Sequence, residues 1–412
     1  MKVLIAGGGI GGLTLALMLK RRGIEAEIFE QAAEIRELGV GINTLPHAIK
    51  ELAALGLLPA LDRVAIRTRD LTYMNRFGQE IWREPRGLDA GFDVPQFSIH
   101  RGRLQRVIHR AVAAELGESR IHTGCRLGAF TQDEAGVRAY GFDRDGQHVK
   151  TAMGDVLVGA DGIHSSIRAR LFPQEGPPQW NGIMLWRGAV DWPQFGDGRS
   201  MIIAGGMAAK AVLYPIAEGL RPETRLTNWA IAVRLGDGST PPPRREDWSR
   251  QGKLEDVMAH LQRFHLKQVD VKALIMATPE FWEYPMCDRD PLPRWTHGRV
   301  TLLGDAAHPM FPVGSNGASQ AILDGRCLAD CLASADHAQQ ALVAYEQERL
   351  PITAQIVRLN RRGGPEGVID AVEHLAPDGF ERIEEVLSFE QRQNIVRGYA
   401  SVAGFTQAKV NR

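Results

Sequence analysis

The sequence predicts an α/β protein in which a parallel-sheet lobe is interrupted by an antiparallel sheet and followed by long helices. Three observations carry that reading. Residues 1–31 alternate aliphatic runs with a glycine-rich turn and an apolar helical segment. Residues 182–235 hold four strand-like runs at short spacing, the pattern of an antiparallel sheet rather than of crossover units. An aliphatic run ended by glycine returns at 299–304, before helical segments at about 316–334 and 338–361.

Lys2 to Ala6 reads as a short buried strand ended by glycine. Leu13 to Arg22 carries apolar residues at helical spacing and stops before Gly23, and Glu25 to Phe29 reads as a second strand. Gly7, Gly9 and Gly12 therefore form G-x-G-x-x-G at a strand-to-helix junction. The first allows a tight turn, the second removes a side chain where a pyrophosphate approaches, and the third lets helix and strand pack closely. The helix N-terminus offers unpaired amides and partial positive charge to that pyrophosphate. Glu30, eighteen residues past Gly12, ends the second strand where an acid accepts hydrogen bonds from a ribose diol. A dinucleotide is expected, and this stretch leaves NAD and FAD both open. A signal peptide is the rival reading of the apolar run Leu13 to Leu19. It is disfavoured because no small-residue cleavage site follows and Lys20, Arg21 and Arg22 lie on the wrong side.

Further along, a helix is expected over Pro46 to Leu55, with strands at Leu71 to Tyr73 and Phe97 to His100 and a helix from Arg101 to Leu116. Strand-like runs recur at Arg120 to Thr123 and Val137 to Tyr140, and DVLVGADG at 155–162 reads as a central parallel strand. The 412-residue length calls for two or three lobes. Lys plus Arg and Asp plus Glu are both 49, and no basic block interleaves with aromatics, so no nucleic-acid partner is expected. No uncharged apolar run reaches the length of a membrane span, and the expected location is the cytoplasm. Cys125, Cys287, Cys327 and Cys331 read as small buried hydrophobes, and no metal site is expected.

Two more segments narrow the cofactor. DVLVGADGIHSSIR places Asp161-Gly162 at a strand end before a helix carrying Arg168, which by itself is an ordinary turn and helix cap. GRVTLLGDAAHPMFPVGSNGASQAILDG, 298–325, delivers Gly304-Asp305 from a strand and leads through a proline- and glycine-rich loop into a helix near Ser315. A flavin needs such parts. Asp305 can accept hydrogen bonds from ribityl hydroxyls. Amides after Gly314 can face the flavin pyrimidine, where negative charge develops on reduction. Asn316 and Gly317 suit that first turn, and His308 suits support of the loop.

These motifs, taken in order, resemble the flavoprotein aromatic hydroxylases of the p-hydroxybenzoate and salicylate hydroxylase type. The likeness is carried also by ELGVGIN (37–43), EPRGLDAG (84–91), SIHRGRLQ (98–105), MLWRG (184–188) and YPMCDRDPLPRW (284–295), and runs from residue 1 to about 350. It implies a Rossmann-like FAD-binding domain with an inserted antiparallel-sheet substrate domain and a helical C-terminal region. The expected boundaries are 1–177 and 291–361 for the FAD-binding parts, 178–290 for the substrate domain and 362–412 for the tail.

By the same resemblance, Gly7, Gly9, Gly12 and Glu30 hold the adenosine half of FAD, Arg101 its phosphates and Asp305 the ribityl region, with Asp161 a less direct contact. Val40 and Gly41 lie beside the isoalloxazine, as do Pro312, Gly314, Asn316 and Gly317. The implied reaction consumes NADH or NADPH and O2 and hydroxylates a small aromatic or heteroaromatic substrate through a flavin C4a-hydroperoxide, with or without decarboxylation. Water destroys that intermediate, so the site should be apolar and closable. Only one dinucleotide fingerprint is visible, so the nicotinamide is expected to visit a groove. Trp186, Ile202, Tyr214, Met286, Met310 and Phe311 are the candidate lining residues. Tyr214, Pro312 and Gly314 are the candidates closest to the chemistry, with Tyr214 expected to orient the substrate through its hydroxyl. Arg187 could clamp a carboxylate or serve structure beside Gly188. Competing readings are epoxidation or Baeyer–Villiger insertion on the same fold, and a non-catalytic FAD-binding redox module. A halogenase is disfavoured by the lack of a W-x-W-x-I-P segment. A monomer and a homodimer are both compatible with the sequence.

Overall fold

The computed structural model describes residues 1–35, 39–243 and 250–412. Strand β1 (Lys2–Ala6), a helix over Ile10–Arg21 and strand β2 (Glu25–Phe29) follow in the predicted order. Strands β8 (Ile121–His122), β12 (Val156–Gly159) and β18 (Val300–Leu302) complete a parallel sheet ordered β18-β12-β1-β2-β8. The segment around 300 thus returns to the first lobe beside the DG strand. Leu13, Leu15, Leu17 and Leu19 are all fully buried, in one core with residues of the helices Arg101–Leu116 and Gly317–Ser334. Burial on every side explains why this helix is apolar all round.

Strands β3 (Gly41–Thr44), β4 (Ala65–Arg67) and β7 (Phe97–His100) form a small antiparallel sheet, and β9 (Arg126–Gln132), β10 (Val137–Phe142) and β11 (His148–Gly154) form a meander. The large sheet contains β13 (Gln179–Pro193), β14 (Ser200–Ala204), β15 (Ala209–Glu218), β16 (Thr224–Arg234) and β17 (Phe281–Asp288). It also recruits β5 (Asp70–Met74) and β6 (Glu80–Pro85), in the order β17-β13-β16-β15-β14-β5-β6. The expected inserted sheet is therefore not confined to 178–290, because β14 pairs in parallel with β5 from the first part of the chain.

Side chains alternate between two faces of this sheet. On one face Met184, Trp186, Ile202, Ala204, Ala211 and Leu213 pack with Val257, Leu274 and Ile275 from the helical segments beyond 254. On the other, Ile183, Leu185, Tyr284 and Met286 meet Phe311 and Val313. The same face carries Tyr214 and Ile216, in a cluster with Val368, Ile369, Val372 and Val396 from the C-terminal helices Gly367–Leu375 and Phe389–Ala403.

Candidate active site

Each glycine of the first turn has its own physical reason. Gly7 has φ +109°, and a Cβ there would lie 2.3 Å from the Ala160 carbonyl oxygen. A Cβ on Gly12 would lie 2.2 Å from the Gly7 carbonyl oxygen, so helix and strand touch there. Gly9 instead opens outward, with no atom of the described residues within 4 Å of its missing Cβ. Glu30 is held at the rim of this turn, accepting from the Gly8 N–H at 2.7 Å and the Ala32 N–H at 2.8 Å.

Asp161 spends its carboxylate on the next helix, accepting from Ser165 Oγ at 2.5 Å and the Ser166 N–H at 2.7 Å. Burial pushes its pKa up, against those hydrogen bonds. It supports the capped start of the helix Ser166–Leu171, whose N-cap Ser165 accepts from the Arg168 N–H at 2.9 Å, the ordinary reading of this segment. Arg168, from the same segment, is 1% exposed, pairs with Glu175, and donates to the carbonyls of Ala306 at 3.0 Å and Ala307 at 2.9 Å. One guanidinium thus ties the second motif to the third.

Asp305 and Arg101 behave differently. Both side chains are accessible, and among the described residues neither has a hydrogen-bond or ion-pair partner. Protein walls them on their other sides, so desolvation is only partial. It lowers the pKa of Arg101, as does Arg187, while Asp305 opposes. It raises that of Asp305, against the charges of His308 and Arg101.

The segment at Val40 and Gly41 is clamped onto the large sheet; Glu37 and Leu38 of the same motif lie outside the described residues. The Arg101 N–H donates to the Val40 carbonyl at 2.9 Å. The Gly41 N–H donates to Asn228 Oδ1 at 2.8 Å, and its carbonyl accepts from the Tyr214 hydroxyl at 2.8 Å and from Arg187 Nη2. Arg187 Nη1 donates to the Tyr284 hydroxyl at 3.0 Å. A Cβ on Gly41 would sit 2.6 Å from Ile216 and 2.8 Å from Asn228, which leaves room only for glycine. The expectation for Tyr214 is corrected here. Its proton goes to the Gly41 backbone, it is 5% exposed, and burial pushes its pKa up to about 12. The tyrosine positions Gly41 instead of presenting a free donor. Asn228 and Tyr284 are absent from the sequence-derived candidates, since nothing in the sequence pairs Asn228 with a glycine so far away or Tyr284 with Arg187.

Pro312 is exposed, and Gly314 (φ +67°) and Ser315 (φ +53°) make a left-handed turn just before the helix Gly317–Ser334. Asn316 occupies the N-cap position of that helix without a side-chain capping bond, is 1% exposed, and has no acceptor for its Nδ2 among the described residues. Behind the loop, Asp324 accepts from the Gly304 N–H at 3.1 Å and Arg349 Nε at 2.7 Å, and meets His308 Nε2 at 2.5 Å. Burial opposes ionisation of Asp324, yet the charges of His308 and Arg349 hold its pKa at about 2. His308 supports the loop through this contact.

The six lining candidates are divided by the sheet. Trp186 and Ile202 lie on the face packed against the helices beyond 254, and Trp186 Nε1 donates to Glu283 there at 3.2 Å. They are corrected to core residues of the far face. Met310 packs with Tyr399 and Ala403, near Gly317. Met286 and Phe311 remain together with Leu185, Tyr284 and Val313 on the face that holds Gly41.

Residues 1–360 match the FAD binding domain family. The chain belongs to this family. It is 44% identical over 363 residues, 87% of this chain and 89% of the relative, to phenazine 1,6-dicarboxylic acid hydroxylase PhzS of Lysobacter antibioticus. It is 31% identical over 373 residues, 88% of this chain and 87% of the relative, to 3-hydroxybenzoate 6-hydroxylase of Polaromonas naphthalenivorans. Its fold matches Klebsiella pneumoniae HpxO, solved with FAD and uric acid, with a TM-score of 0.73 at 24% identity over 98% of this chain and 96% of that one. The protein is an FAD-dependent monooxygenase of the aromatic hydroxylase type. The residues of this flavoprotein fit the cofactor: an opening at Gly9, an acid fixed at the turn, and an accessible cation and anion at Arg101 and Asp305 that have no side-chain partner among the described residues.

Proposed function

We propose that this flavoprotein hydroxylates a planar aromatic or heteroaromatic acid, using NADH or NADPH and O2. The carrying observation is the apolar cluster Leu185, Met286, Phe311 and Val313, beside the Gly41 clamp and the 312–317 loop. At its edge stands Arg187, half-buried and without a carboxylate partner among the described residues, which favours an anionic substrate. The names of the two curated relatives both specify action on aromatic acids, in keeping with that charge.

Gly7, Gly9, Gly12 and Glu30 hold the adenosine half of FAD, Arg101 the phosphates and Asp305 the ribityl chain. Val40, Gly41, Pro312, Gly314, Asn316 and Gly317 border its ring. When bound, FAD supplies hydride acceptance from the nicotinamide and activation of O2. The chain's own residues orient and exclude. Phe311, Val313 and Met286 keep water from the reacting ring. Tyr214, Asn228 and Arg187 fix Gly41, and the helix start at Asn316 offers amides to negative charge. Residues 1–177 and 291–361 serve the cofactor, 178–290 with the two strands from 70–85 serve the substrate, and the enzyme works in the cytoplasm.

A panel of aromatic acids including phenazine-1,6-dicarboxylic acid and 3-hydroxybenzoate tests the reading. At least one acid should stimulate NAD(P)H oxidation and gain one oxygen by mass spectrometry. NAD(P)H consumption that no aromatic converts into product would favour the redox module instead.

A further inference from the structure

Residues beyond 359 reach back to the loop that borders the flavin ring. Asn360 Nδ2 donates to the Phe311 carbonyl at 2.9 Å, and the Gly314 N–H donates to Glu366 Oε1 at 3.0 Å. Glu366 Oε2 pairs with Lys210 of β15, on the same face of the sheet as Tyr214. The pair is buried, with side chains 8% and 5% exposed for Lys210 and Glu366. Gly314 is also covered by Tyr399, whose ring would be 2.7 Å from a Cβ there. A Cβ on Gly364 would lie 2.9 Å from Val313, so the turn bearing Glu366 is seated directly on the loop.

We infer that Glu366, neutralised by Lys210, is a positioning residue that fixes the Gly314–Ser315 turn and thereby aims the first amides of the following helix at the flavin. This rests on the proposed placement of the 312–317 loop beside the ring. The physical need is plain. A left-handed turn at Gly314 and the non-glycine Ser315 is uphill, and persists only where neighbours over-determine it. A carboxylate accepting a backbone N–H is a strong restraint of that kind. Burying that carboxylate requires a counter-charge, and Lys210 supplies it from the substrate-facing sheet. Sheet, loop and C-terminal region are thereby locked to one geometry.

The test compares Glu366→Gln and Glu366→Ala, both in a Lys210→Met background, so that neither leaves a lone buried charge. Glutamine keeps an acceptor for the Gly314 N–H and alanine removes it. The readouts are FAD affinity and the midpoint potential of bound FAD, neither of which needs a substrate. The glutamine variant should stay close to wild type. The alanine variant should bind FAD about tenfold more weakly and shift to a more negative potential, since displaced amides stabilise the reduced anion less. Equal affinity and potential in the two variants, whatever their melting temperatures, would overturn the inference. Gly314→Ala separates this from failure of the loop's placement. If it shifts the potential while the paired variants match, only the role of Glu366 falls. If it leaves the potential unchanged, the loop does not border the ring and both readings fall.

Discussion

Asp305 and Arg101 are an accessible carboxylate and guanidinium, each near enough to bias the other's protonation and neither with a side-chain partner among the described residues, an arrangement that makes sense when a ligand completes both. Replacing Asp305 with Ala removes an acceptor of charge-assisted hydrogen bonds, which are worth roughly 1.5–3 kcal/mol. FAD affinity should therefore fall about tenfold to a hundredfold, measured by titrating apoprotein with FAD. Undiminished affinity would displace the loop from the cofactor. Tyr214 leads to a different expectation. Tyr214→Phe loses only the bond to the Gly41 carbonyl, so stability should drop by roughly 0.5–1.5 kcal/mol. Less product should form per NAD(P)H consumed, while substrate KM stays unchanged. A large rise in KM at unaltered stability would show that the hydroxyl meets substrate after all.

At the scale of elements, the first strand, helix and second strand were legible because local signals agree there: an apolar run, a glycine turn, helical spacing and a terminal acid. The large sheet was legible only in part. Its runs such as GIMLWRGAV are nearly continuous in apolar residues, so alternation does not say which face meets the site. That is why the sequence pattern groups Trp186 and Ile202 with Met286 and Phe311, although the sheet separates them. The recruitment of β5 by β14 was hidden because strand pairing at such distance leaves no local mark. Arg168 stood in a recognised segment, but its partners at 306 and 307 did not show until the chain folded. The face assignment is testable by steady-state kinetics. Leu185→Phe should raise KM several-fold by crowding the apolar cluster proposed to meet the substrate, whereas Trp186→Phe should leave KM unchanged and cost stability alone. The opposite result would return Trp186 to the substrate side.

For the whole molecule, two buried groups behind the loop set its response to acid. Burial, with the charge of Arg349, lowers His47 to about 3. Since unfolded histidine titrates near 6.5, the unfolded chain binds the extra proton between those values, and stability falls as pH falls through that window. From pH 7 to pH 5 the loss should be about 2 kcal/mol, and His47→Gln should abolish it in urea unfolding. Asp324, held at about 2, adds a further loss as pH falls from about 4 towards 2, because its carboxylate must be protonated on unfolding. Stability that rises on acidification to pH 5 would contradict this assignment. The central claim is monooxygenation, and one measurement reaches it most directly. The FAD-loaded protein is supplied with NAD(P)H, an aromatic acid that stimulates its oxidation, and 18O2 in ordinary water. The account predicts a hydroxylated product carrying one 18O atom, formed with one NAD(P)H consumed per product. Product oxygen drawn from water, or consumption that ends wholly in hydrogen peroxide, would contradict it.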